Sequence, residues 1–160
     1  MIAHPPLSLK GRALRLLSGR EHSRAELERK LKGHEETPGQ LARTLDDLQA
    51  KGFISEARVV ESVIHRRAAK LGAARIRQEL QAKGLAPEAV AEAVASLKDT
   101  ELARAREVWR RKFGRDMDES EGAAAPDAAT RARQARFLLT RGFGAEVVRR
   151  VVRGVDDADG

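Results

Sequence analysis

The sequence contains no cysteine, which excludes a disulfide, a thiolate metal site and a cysteine nucleophile. Aromatic residues make up only 3% of the 160 positions, so the core is left to Leu, Val, Ile and Ala. No apolar run approaches the ~18–20 residues of a membrane-spanning helix. The opening Met1-Ile2-Ala3-His4-Pro5-Pro6 lacks the apolar stretch of a signal peptide, so a cytoplasmic location is expected. Alternating β-branched runs are missing, whereas Ala, Leu, Glu and Arg, all good helix formers, dominate. The chain therefore reads as all-α. A Gly-rich phosphate loop is also missing. Glu35/Glu36 and Asp46/Asp47 are adjacent in sequence, so helix or turn geometry points each pair apart. His4, His22, His34 and His65 have no zinc-ligand spacing and read as surface residues. The sequence thus offers no catalytic, metal or cofactor set, and no enzyme is expected.

What the chain has is base. Lys and Arg number 31 against 24 Asp and Glu, giving a net charge of +7 and a pI near 10.3. The excess is spread along the whole chain, which suits a polyanionic partner, either nucleic acid or an acidic protein surface. Apolar spacing of three to four residues marks a series of amphipathic helices. Residues 1–7 read as a disordered lead-in, because Pro5 and Pro6 oppose a helix. Ser8 is placed to cap a first helix. Ser23-Arg-Ala-Glu26 is a capping box ahead of a second, and Thr37-Pro38-Gly39-Gln40 is a similar pattern ahead of a third. A fourth helix is expected from Ser55 to Leu71, a fifth from Gly72 to Gly84, a sixth from Pro87 and a seventh from Asp99 or Thr100. Residues 114–127 form a polar linker, an eighth helix ends at Gly142, and a ninth carries Val147, Val148, Val151 and Val152. The acidic tail spans 156–160.

The pattern repeats. At an offset of 49, Leu27 falls on Ile76, Leu31 on Leu80, Leu41 on Val90, Leu45 on Val94, Leu48 on Leu97 and Val60 on Trp109. After the linker the offset becomes 58: Leu80 falls on Leu138, Lys83-Gly84-Leu85 on Arg141-Gly142-Phe143, and Val90 on Val148. The chain is thus expected to form three tandem three-helix repeats, 8–54, 55–98 and 99–155, in an elongated, curved body whose units contact mainly their neighbours. No heptad seam persists, so a monomer is expected.

The run Gly52-Phe53-Ile54-Ser55-Glu56-Ala57-Arg58, followed by Arg67 and by Gly72-Ala73-Ala74-Arg75-Ile76-Arg77-Gln78-Glu79-Leu80 with Lys83-Gly84, resembles the RecX family. Arg136-Phe137-Leu138-Leu139-Thr140-Arg141-Gly142-Phe143 is similar to that family's C-terminal motif. The resemblance covers about residues 10–153. It departs at Val59-Val60, where the family has an aromatic, and in the first repeat, which has Gly33-His34-Glu35-Glu36 in place of the Lys-Gly turn. The resemblance implies a non-catalytic regulator that binds the RecA–single-stranded DNA filament and dampens its ATPase, strand exchange and co-protease activity, in DNA repair and the SOS response.

Two basic clusters are the candidate contacts with RecA or single-stranded DNA. The first is Arg66, Arg67, Lys70, Arg75, Arg77 and Lys83, within which Arg75 and Glu79 are spaced to pair. The second is Arg136, Arg141, Arg149 and Arg150, with Arg153 beside it. Trp109, flanked by Arg104, Arg106, Arg110, Arg111 and Lys112, reads as core because it overlays on Val60. The alternative function is a helix-turn-helix-like transcriptional regulator using residues 38–51 as recognition helix. The carboxylates Asp46 and Asp47 on that helix oppose a phosphate groove.

Overall fold

The computed structural model describes residues 5–118 and 126–154, with side chains through residue 115 in the first span. Residues 1–4, the middle of the expected linker and the acidic tail lie outside the described residues. The described chain forms α1 (Leu9–Gly19), α2 (Arg24–Leu31), a 3-10 turn (Lys32–His34), α3 (Gln40–Ala50), α4 (Glu56–Arg67), α5 (Ala73–Ala82), α6 (Pro87–Lys98), α7 (Glu101–Asp118), α8 (Ala128–Thr140) and α9 (Ala145–Val152). No strand occurs among the described residues.

Local chemistry sets most of the boundaries. The Ser8, Ser23, Ser55 and Asp127 side chains each accept a first-turn N–H, and Ser23 with Glu26 completes a reciprocal capping box. Pro87 opens α6, where its missing N–H costs nothing.

Three boundaries differ from the sequence expectation. Thr37-Pro38-Gly39-Gln40 is not a capping box. The Gln40 N–H donates to the Thr37 carbonyl at 3.1 Å, and Gly39 has φ +83° and ψ −8°. This is a type II turn with Pro and Gly at its corners. Glu35 takes over as the cap, its carboxylate accepting from Leu41 N–H at 2.8 Å. Helix α4 stops at Arg67 instead of Leu71, because the Arg104 guanidinium draws in the carbonyls of Ala68 (2.9 Å) and Leu71 (2.7 Å). Helix α7 continues to Asp118, so residues 114–118 of the expected linker are helical. Gly114 inside a helix costs only about 1 kcal/mol, and the buried Ala105, Val108 and Phe113 anchor that helix.

The core divides into three clusters. Leu9, Ala13, Leu27, Leu31, Leu41, Leu45, Leu48 and Ile54 form the first. The second is built on Val59, Val63, Ile76, Leu80, Val90, Val94 and Leu97, and the third on Ala105, Val108, Leu138, Phe143, Val148 and Val151. Leu27, Leu31, Leu41, Leu45 and Leu48 of the first, Ile76, Leu80, Val90, Val94 and Leu97 of the second, and Leu138, Phe143 and Val148 of the third are the positions that overlay in the sequence. Each fully buried Leu contributes about 1.5–3 kcal/mol, yet clusters this small are marginal alone.

The repeats dock through two related junctions. In each, the N-terminus of a repeat's second helix sits on the turn that ends the second helix of the next repeat. At the first junction, Ser23 Oγ donates to the Lys83 carbonyl at 2.5 Å and Arg29 donates to the Ala82 carbonyl at 3.1 Å. The Lys83 ammonium lies 3.4 Å from Glu26. At the second, Gly72 N–H donates to the Arg141 carbonyl at 2.8 Å and Ala74 N–H to Gly142 at 3.2 Å. Arg75 Nη1 reaches the Thr140 carbonyl at 2.8 Å. Ser23 overlays on Gly72, and Ala82 on Thr140, so the two junctions are copies. Backbone meets backbone at the second one. Gly142 has φ +91°, and a Cβ there would lie 2.6 Å from Arg75 N. Only glycine fits both the left-handed turn and the close approach.

His22 is a further correction to the sequence reading. It is buried, with 2% of its surface exposed, and is no surface histidine. Burial lowers its pKa, outweighing its bond to the Arg20 carbonyl, so the ring is neutral near pH 7.

Candidate partner-binding groove

Helix α8 places Arg133, Arg136, Phe137 and Thr140 on one face, three to four residues apart. The second junction brings Arg75 of α5 and Leu71 alongside, and Arg141 closes the end. Together they line a groove of about 460 Å³ with no carboxylate in its wall. Phe137 is its aromatic centre, edge-on to Phe113 at 5.5 Å and 84°. The Arg141 guanidinium lies 4.9 Å from the ring centroid and the Lys112 ammonium 5.6 Å from it, both within cation–π range. The bond to Thr140 uses one of the five N–H donors of Arg75, and the junction holds the guanidinium in position. The groove therefore combines fixed positive charge with an aromatic face, the two features that hold phosphate and stack or pack a planar group.

The candidate residues divide. Arg75, Arg136 and Arg141 come together in this groove. Arg66, Arg67 and Lys70 are exposed at the C-terminal end of α4, where Arg67 pairs with Glu79 at 3.2 Å. That pairing replaces the expected Arg75–Glu79 pair, since Arg75 turns to the neighbouring repeat. Arg77 is exposed on α5. Arg149 pairs with Glu146 at 2.8 Å on α9, and Arg150 is exposed beside it. Lys83 belongs to the architecture: its side chain is 13% accessible and is paired with Glu26. Sequence reasoning missed Arg133 and Phe137. Their spacing from Arg136 and Thr140 on one helical face was the available signal.

Other bases near Trp109 are also accounted for. Arg104 caps α4 and also donates to the Leu97 carbonyl, and burial lowers its pKa. Arg110 and Arg111 pair with Glu107. Trp109 is half-buried against Phe113 and donates its Nε1–H to Gln134 at 3.1 Å, consistent with its overlay on Val60. On α3, the helix that the alternative reading would place in DNA, Asp46 pairs with Arg24 at 2.6 Å and Asp47 with Lys51 at 3.1 Å and Lys10 at 3.5 Å. That helix turns a carboxylate-bearing face outward, unfavourable against phosphates. Among the described residues no group of His, Asp and Glu could hold a metal ion, and no helix is long and apolar enough to cross a membrane.

Comparison with known proteins matches all three repeats. Models for the first, second and third three-helix domains of RecX match residues 10–48, 55–94 and 99–152. The chain is 55% identical to the regulatory protein RecX of Leptothrix cholodnii over 152 residues, covering 95% of this chain and 92% of that one. It is 47% identical to the regulatory protein RecX of Ralstonia nicotianae, covering 94% and 90%. The crystal structure of RecX from Lactobacillus salivarius superposes with a TM-score of 0.74 at 17% identity, covering 92% of this chain and 94% of that one, which shows the same fold.

Proposed function

This chain belongs to the RecX family of regulatory proteins, and we propose that it regulates RecA by binding the RecA–single-stranded DNA filament. The bound protein inhibits the filament's ATPase, strand exchange and co-protease activity and favours its disassembly, as part of DNA repair and the SOS response in the cytoplasm. It does so without catalysis of its own. The observation that carries the reading is the carboxylate-free groove of Arg75, Arg133, Arg136 and Arg141 around Phe137, set on an elongated array of repeats. Such an array spans several partner subunits, and small contacts along it add through effective concentration. The groove is the point of strongest contact, taking an acidic stretch of the RecA surface or the phosphates of the single strand. Arg66, Lys70, Arg77 and Arg150 extend the basic surface, and Lys83 acts only by holding the first junction together.

The test is filament lifetime. RecA assembled on a fluorescently labelled oligothymidylate is challenged with the protein, and loss of filament is followed by anisotropy. Faster loss at protein concentrations below that of RecA supports the proposal. Unchanged lifetime at equimolar protein, with a sample helical by circular dichroism, refutes it.

A further inference from the structure

A second concavity lies on the first repeat, far in sequence from the groove. It holds about 560 Å³, within the size range of small-ligand sites. Leu7, Leu16 and Leu31 give it an apolar lining, and Arg12, Arg15, Arg20 and Lys30 surround them with no carboxylate in the wall. Glu36 lines only an adjoining recess, which shares Arg12.

The four cations are not equivalent. Arg20 is committed, donating to Glu26 at 2.7 Å and to the Glu21 carbonyl at 2.8 Å. Lys30 Nζ donates to His22 Nε2 at 3.1 Å, while His22 Nδ1–H donates to the Arg20 carbonyl at 3.1 Å. The buried neutral ring thus positions the Lys30 ammonium without cancelling its charge. Arg12 and Arg15, three apart on α1, have no side-chain hydrogen bond or ion pair among the described residues. Arg12, Arg15 and Lys30 are thus gathered around one concavity with no ion pair of their own among the described residues; such charges repel one another, and a bound anion relieves that repulsion. Gly19 lines the opening, and a Cβ there would meet nothing within 4 Å.

We propose that this cavity binds a phosphate-bearing ligand, with Arg12, Arg15 and Lys30 donating to the phosphoryl oxygens and the leucines receiving the organic part. Arginine forks match phosphate oxygens bidentately. The phosphoryl group comes either from a free nucleotide or from the backbone of a single strand. The site is separate from the junction groove, and its test does not use RecA.

The experiment is calorimetric titration of the full chain with inorganic pyrophosphate, ATP and a short oligothymidylate. The variants are Arg12→Ala/Arg15→Ala, which removes two side chains that make no bonds, and Gly19→Glu, which puts a carboxylate at the opening. Binding of at least one probe is expected, weakened about tenfold or more by either variant and unchanged by Lys98→Glu, an equal charge reversal at the exposed end of α6. ATP binding more tightly than pyrophosphate identifies a nucleotide, and oligothymidylate competing with pyrophosphate identifies a strand. No binding of any probe to the wild-type chain overturns the proposal. So does binding that both variants leave intact, or that Lys98→Glu weakens as much as they do.

Discussion

Replacing Glu26 by Gln will loosen the first junction, and the loss will depend on pH in a calculable way. The Glu26 side chain is 8% accessible. Burial pushes its pKa up, but the Arg20 hydrogen bond, the Ser23 N–H and the Lys83 charge outweigh burial and hold it at about 2, against 4.5 when unperturbed. That difference corresponds to about 3 kcal/mol of stability at neutral pH. The contribution is complete above pH 4.5, the unfolded value, and is lost as pH falls through the folded value near 2. At pH 3 about 1 kcal/mol of it remains. Gln can still accept from Ser23 N–H, but it carries no charge for Arg20 or Lys83. Urea unfolding should therefore show E26Q less stable than wild type by about 3 kcal/mol at pH 7, with the gap shrinking to about a third at pH 3. Circular dichroism reports all repeats, whereas Trp109, the single tryptophan, reports the third. The two transitions should separate in E26Q. A gap equal at both pH values would refute the ion-pair account.

Three other perturbations follow from the packing. Gly72→Ala keeps an ordinary backbone angle but drives its Cβ into the Gly142 carbonyl, so a melting scan should show a loss of at least about 2 kcal/mol. Gly154→Ala, at φ +59° with nothing nearby, should cost about 1 kcal/mol from backbone strain alone. Trp109→Phe leaves the buried Gln134 carbonyl without its donor and should destabilise by about 1–3 kcal/mol, read by chemical denaturation. Phe137→Ala with Arg136→Glu should weaken filament binding at least about tenfold while leaving the helical signal in place; unchanged binding in an anisotropy titration would contradict the groove assignment.

What could be read from the sequence was local or periodic. The Ser23–Glu26 capping box needs only residues three apart, and the overlay of Leu27, Ile76 and the residues that follow needs only spacing. Both appear in the structure. The junctions were not legible, because Ser23 meets the Lys83 carbonyl 60 positions away and no local pattern announces it. Lys83 shows the consequence. As a charge in a basic run it read as a contact residue, while its partner Glu26 lies 57 positions upstream. His22 was misread for the same reason, since its burial depends on Lys30 and on the docking of α1. Gly39 and Glu35 exchanged the roles expected of Thr37 and Gln40 because a type II turn competes with helix initiation at Pro38. The groove was half legible: Arg75, Arg136 and Arg141 stood out as charges, but only the second junction makes them neighbours of Arg133 and Phe137.

The central claim, regulation of RecA through the basic groove, is tested most directly by RecA ATPase on single-stranded DNA, titrated with the wild-type chain and with Arg136→Glu/Arg141→Glu. Inhibition by wild type at concentrations well below that of RecA, with the variant needing at least about tenfold more protein, is the predicted result. Equal inhibition by both would place the contact elsewhere, and no inhibition by folded wild type at equimolar ratio would contradict the account as a whole.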